Sequence, residues 1–117
     1  MPIAMLQILN AIAATISIVS SLLAVVRPQI MSKSQEVSAS ERFFAQMYAA
    51  RAVPLGVVTA AAPFVAPSDI TSVRLVLMAA MAVQIVDAGI GFRRRERAMI
   101  VGPSIAAIIH GTMAWYA

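Results

Sequence analysis

Cysteine is absent from this chain and histidine occurs once, as His110. The missing thiols exclude disulfides, thiolate metal sites and iron–sulfur ligation, so the redox compartment leaves no mark on the sequence. One histidine with no cysteine also excludes a bis-histidine haem or a three-ligand zinc site within a single chain, and no metal is expected. Charge is scarce: 12 % of residues are Asp, Glu, Lys or Arg, against about a quarter in soluble domains. So few charges cannot coat a soluble globule of this size. A phosphate-cradling glycine loop, a nucleophile elbow and a carboxylate pair are missing too, so no catalytic residue is nominated.

What is abundant is apolar: 61 % of the 117 residues are hydrophobic and the mean hydropathy is +0.85. The length fits one domain, residues 1–117. Four apolar stretches are each long enough to cross about 30 Å of hydrocarbon, which predicts an all-α, four-transmembrane-helix antiparallel bundle. The helices are expected over about 3–26, 40–66, 70–92 and 98–116. Pro2 suits a helix start, and Arg27-Pro28 ends the first span. Residues 28–39 form a polar, serine-rich loop. Ser38 with Glu41 makes a capping box for the second helix. Pro54 kinks that helix, and Gly56 admits a close neighbour. Ser68 or Asp69 caps the third helix. Trp115-Tyr116 suits a membrane–water interface. The first segment has no basic residues before it and is too long for a signal-peptide core, so it is read as a retained helix.

The pI of 10.8 raises nucleic-acid binding, but the net charge is only +4 and most of it lies between apolar runs. No nucleic-acid partner is expected. Arg27, Lys33, Arg42, Arg93, Arg94, Arg95 and Arg97 fall in the first and third connections. Only Arg74 lies on the other side. That bias places loops 27–42 and 93–97 in the cytoplasm and both termini outside, in a membrane taken to be the bacterial inner membrane. Arg93, Arg94, Arg95 and Arg97 are also placed to hold anionic lipid head groups, at about 1 kcal/mol each.

The costly residues are those inside the spans. Arg51 in lipid costs about 3 kcal/mol on insertion scales, so it needs a partner or a wet cavity. Asp87 is the one carboxylate well inside an apolar segment, and Gln84 shares its face three residues earlier. Counting about 1.5 Å per residue puts Arg51 and Gln84 at matching depths, with Asp87 shallower and within reach of a snorkelling guanidinium. Tyr48, one turn before Arg51, completes the expected buried cluster Arg51–Gln84–Asp87–Tyr48, with Glu41 further out. Its functional reading is a pocket for a polar head, either quinone, lipid or anion; its structural reading is an ion pair locking the second helix to the third. His110 lies deeper, near Asn10 and Thr15. A histidine hydrogen-bonded between helices is weighed above a proton relay or metal ligand. Gly102 with Ala106, and Ala107 with Gly111, mark a tight helix contact or a dimer face. The eight methionines show no metal-pathway spacing.

The segment Arg51-Ala52-Val53-Pro54-Leu55-Gly56, with four short spans and Asp87 near the end of the third, resembles the DoxX-like superfamily of small membrane proteins. The resemblance implies a compact antiparallel bundle, with only Arg51 and Gly56 carried over. Named members are associated with membrane redox systems, including a subunit of a thiosulfate:quinone oxidoreductase. Small multidrug transporters and fluoride channels have similar lengths, but the helix-1 glutamate of the former and the asparagine-rich pore of the latter are missing. Three functions are carried forward. The first is a non-catalytic accessory subunit of a larger, respiratory-type complex, or a lipid- or quinone-binding protein. The second is a small oligomeric transporter or channel using Arg51 and Asp87. The last is a membrane enzyme with Asp87 or His110 as acid–base group. Expected partners are membrane lipids and either further copies of the chain or a larger membrane complex.

Overall fold

A computed structural model describes residues 3–29 and 36–117; residues 1–2 and 30–35, which include Pro2 and Lys33, lie outside them. Among the described residues there are four long helices: α1 (Ile3–Val26), α2 (Ala39–Val65), α3 (Ile70–Arg94) and α4 (Arg97–Tyr116). Each is long and apolar enough to cross a membrane.

The helix ends follow local chemistry. The Ser38 hydroxyl accepts from the Glu41 N–H at 3.1 Å, starting α2. The Asp69 carboxylate accepts from the Ser72 N–H at 3.3 Å, starting α3. The third connection is tighter than its charge run suggests. Helix α3 continues past Phe92 to Arg94 and α4 opens at Arg97, leaving a two-residue turn with Arg95 in the left-handed conformation (φ 58°). The Arg95 and Glu96 N–H groups close the end of α3 on the Phe92 and Gly91 carbonyls.

Helix α1 packs chiefly on α2, and α3 on α4. The two pairs meet more thinly, α1 against α4 and α2 against α3. Gly56 permits the first close pairing: a Cβ there would lie 2.5 Å from Ile18 Cγ1. Gly111 does the same for the second pair, where a Cβ would lie 2.7 Å from Met81 Sδ. The Ala107–Gly111 pair thus serves a contact within the chain at Gly111, whereas Gly102 faces open space.

Leu6, Val73, Leu77, Met113 and Ala114 form an apolar core at the end away from the basic turn. There Arg74 donates from Nε to the Ala114 carbonyl (3.1 Å) and from Nη2 to the Ala117 carbonyl (2.9 Å). The Ala114 carbonyl is among those that the last turn of α4 leaves without helical partners. Little else is buried. In no helix does the protein cover more than 28 % of the most apolar stretch, and large apolar side chains face outward along every helix. The area left uncovered is far beyond a few hundred Å² of exposed apolar patch.

Candidate functional site

Four prolines interrupt the helices at 54, 63 and 103 and end α2 at 67. A proline has no N–H, so the carbonyl four residues before it loses its helical donor. Pro63 frees the Thr59 carbonyl, and Pro67 frees the Pro63 carbonyl. Both are taken by α1, whose Gln7 and Asn10 lie three apart on one face. Asn10 Nδ2 donates to the Thr59 oxygen at 2.9 Å and Gln7 Nε2 to the Pro63 oxygen at 3.2 Å.

The bond to Thr59 fixes the Asn10 amide, because a carbonyl can only accept and so must face the NH₂ end. Its oxygen is then turned to His110, with Oδ1 2.7 Å from Nδ1. An amide oxygen has no proton to give, so Nδ1 carries the hydrogen and Nε2 is left as a lone pair in the neutral ring. Asn10, Thr59 and His110 are all at most 1 % exposed. They tie α1, α2 and α4 together one turn from the apolar core.

Above this network runs a cavity of about 30 Å³, lined from all four helices: Ala14 and Ser17; Tyr48, Ala52, Leu55, Gly56 and Thr59; Ala80, Val83, Gln84 and Asp87; and His110. It is narrow, with room for about two water molecules. Its length follows from the register: Tyr48 and Thr59 lie eleven residues apart on α2, about 16 Å along the axis. At the inner end Thr59 Oγ1 is the one buried side-chain nitrogen or oxygen without a hydrogen-bond partner among the described residues. Midway, Gln84 Nε2 donates to Ser17 Oγ at 3.0 Å, and Ser17 in turn to the Ala13 carbonyl at 3.3 Å. At the outer end, toward the basic turn, Tyr48 and Asp87 are half-buried on the same wall.

Of the cluster expected from the sequence, Tyr48, Gln84 and Asp87 share this cavity, and Asn10 meets His110. Arg51 does not join them. It is exposed, it does not line the cavity, and among the described residues it forms no ion pair with Asp87. The expected buried Arg51–Asp87 pair is corrected on that ground. The reason is rotational. The lining follows Tyr48, Ala52, Leu55 and Thr59, whereas Arg51 lies roughly 60° round the helix from Tyr48, on the side away from Ala52 and Gly56. Axial counting leaves the azimuth of Arg51 undecided.

Thr15 and Thr112 return their hydroxyl protons to their own helices, at the Ala11 and Ile108 carbonyls, as hydroxyls in spans can do. Arg93, Arg94, Arg95 and Arg97 are all exposed at the basic end. Among the described residues no cluster of three His, Asp or Glu could hold a metal. The Pro63/Pro67 pair facing Gln7/Asn10 went unread in the sequence, although both members of the signal were there. No family model, no curated protein and no solved structure matches this chain.

Proposed function

We propose that the protein is an antiparallel four-span membrane protein that admits a small polar solute into the cavity between its helices, in the manner of a transporter or channel half-pathway. Both basic connections are assigned to the cytoplasmic side by their charge excess, which makes the Tyr48–Asp87 end the cytoplasmic mouth. One observation carries the reading: polar groups from all four helices converge on one cavity inside an otherwise apolar bundle. Polar and ionisable groups at that depth are expensive and mark solute or ion pathways.

The gradient along the cavity supports the same assignment. Its mouth is half-exposed, its floor is buried, and beyond the floor the apolar core blocks the way. A pathway of this shape binds from one side and waits for a rearrangement at the Asn10–His110 contact to release to the other. The width argues against a quinone ring as the occupant, since the cavity holds about two waters. The accessory-subunit reading draws only on the apolar outer face, which lipid alone can cover, and the resemblance to DoxX-like proteins bears on architecture rather than on this cavity.

The absence of cysteine makes the test direct. Single Ala52→Cys and Leu55→Cys variants place a thiol on the cavity wall; Val57→Cys and Val86→Cys place one on the outward face. In reconstituted vesicles a small water-soluble thiosulfonate should modify the first two and leave the second two unreacted. Equal protection of all four would overturn the proposal.

A further inference from the structure

We infer that the cavity selects a small cationic hydrogen-bond donor of the ammonium type, an inference that rests on the solute-pathway reading and adds the chemistry of its occupant. The lone negative charge on the lining and the acceptors beside it point that way. Asn10 Nδ2 is committed to the Thr59 carbonyl, His110 Nδ1–H to Asn10 Oδ1, Gln84 Nε2 to Ser17 and the Ser17 hydroxyl to Ala13. One N–H of each amide, the Ser17 hydroxyl and the His110 Nδ1–H are thus spent within the protein. What these residues leave unspent is the Asp87 carboxylate, the Gln84 amide oxygen with its second N–H, and the His110 Nε2 lone pair, on residues that line the cavity. The Tyr48 and Thr59 hydroxyls can accept as well as donate, and Thr59 Oγ1 is buried without a partner.

The charge agrees. Asp87 is the one formally charged group on the wall, and no cation lines it. The titratable groups on the lining are Tyr48 from α2, Asp87 from α3 and His110 from α4; α1 contributes only the neutral Ala14 and Ser17 to it, with Asn10 beneath. An anion would meet the Asp87 carboxylate, with only neutral N–H and O–H groups on the lining residues to set against that repulsion. A sodium or potassium ion would find oxygen at the mouth but an imidazole nitrogen at the floor, and nitrogen is a poor ligand for such hard ions. An ammonium ion suits both ends, because it donates to carboxylate, amide oxygen and imidazole alike and is about the size of one water. Asp87 attracts it at the mouth, and Nε2 with Thr59 receives it at the floor.

The single histidine allows a direct test. The full chain is purified in detergent with ¹⁵N-labelled histidine, and its one imidazole spectrum is followed at constant pH during titration with ammonium chloride. Potassium chloride, matched in ionic strength and cation size, is the control. Expected in the resting protein is a protonated Nδ1 and a bare Nε2, with the Nε2 resonance moving saturably toward its hydrogen-bonded position on ammonium and staying put on potassium. Asp87→Asn should weaken the titration by about tenfold or more, a loss of roughly 1.4 kcal/mol. Thr59→Val should weaken it less and leave the resting tautomer unchanged. A resting Nε2–H, an unresponsive Nε2, or an equal response to potassium each overturns the inference. The wild-type titration stands even where a variant fails to fold. Thiol accessibility of the cavity with an unresponsive Nε2 would defeat this inference and leave the pathway reading intact.

Discussion

The floor of the cavity is set by what proline lacks. Had residue 63 an N–H, the Thr59 carbonyl would be satisfied within α2 and Asn10 would have no anchor there. Pro63→Ala should therefore restore the intrahelical bond and free the Asn10 amide to turn, which the ¹⁵N spectrum of His110 would report as a mixture of tautomers. Removing the amide itself is more damaging. Asn10→Leu strands His110 Nδ1 and the Thr59 carbonyl in a buried setting and should cost about 1–2 kcal/mol in detergent unfolding, at the upper end of interhelical hydrogen bonds in membranes. Residues of this kind are only half legible in a sequence. Asn10, His110, Tyr48, Gln84 and Asp87 stand out because they are polar among apolar neighbours, and axial counting brings them to compatible depths. Arg51 stands out even more, and the same counting misplaces it. Depth is one coordinate, and the face a side chain presents is decided by helix packing. The geometry of an amide between two carbonyl-freeing prolines is readable in principle, since each freed acceptor needs a donor from outside its helix.

At the scale of the helices, the boundaries were read to within two residues because caps and prolines act locally: Ser38 and Asp69 each accept the N–H three residues on. What local chemistry does not reveal is how closely two helices approach. Gly56 and Gly102 look alike in sequence, yet one abuts Ile18 and the other meets nothing within 4 Å. Gly56→Ala should thus cost about 1–3 kcal/mol through overpacking, whereas Gly102→Ala should gain about 0.5–1 kcal/mol by stiffening α4; paired unfolding midpoints in one detergent decide both. The turn between α3 and α4 makes an opposite case. Arg95 holds a left-handed conformation that costs a side-chain-bearing residue roughly 1–2 kcal/mol. Arg95→Gly should raise the unfolding midpoint accordingly while leaving the basic character of that end nearly unchanged. An unchanged or lowered midpoint would show that the arginine side chain recovers the strain through contacts of its own.

For the molecule as a whole, the question is why a bundle so poor in buried contacts keeps a polar cavity where its two helix pairs meet. An apolar seam there would pack α1–α2 onto α3–α4 more firmly. Asp87 makes the cost concrete. Under the proposed insertion, a carboxylate within a span, with no cation lining its cavity among the described residues, is a penalty of up to about 3 kcal/mol at the bilayer centre and less nearer its edge. If Asp87 held the fold together, replacing it would loosen the bundle. If it is kept for what enters the cavity, filling its place with an apolar side chain should tighten the bundle and end its affinity for cations, the usual exchange between stability and activity at a working site. Asp87→Leu should therefore raise the detergent-unfolding midpoint by the equivalent of about 1 kcal/mol and abolish the ammonium response of His110 in the same preparation. A lowered midpoint would make Asp87 a fastening between helices instead, and the argument for a solute-bearing cavity would lose its charge.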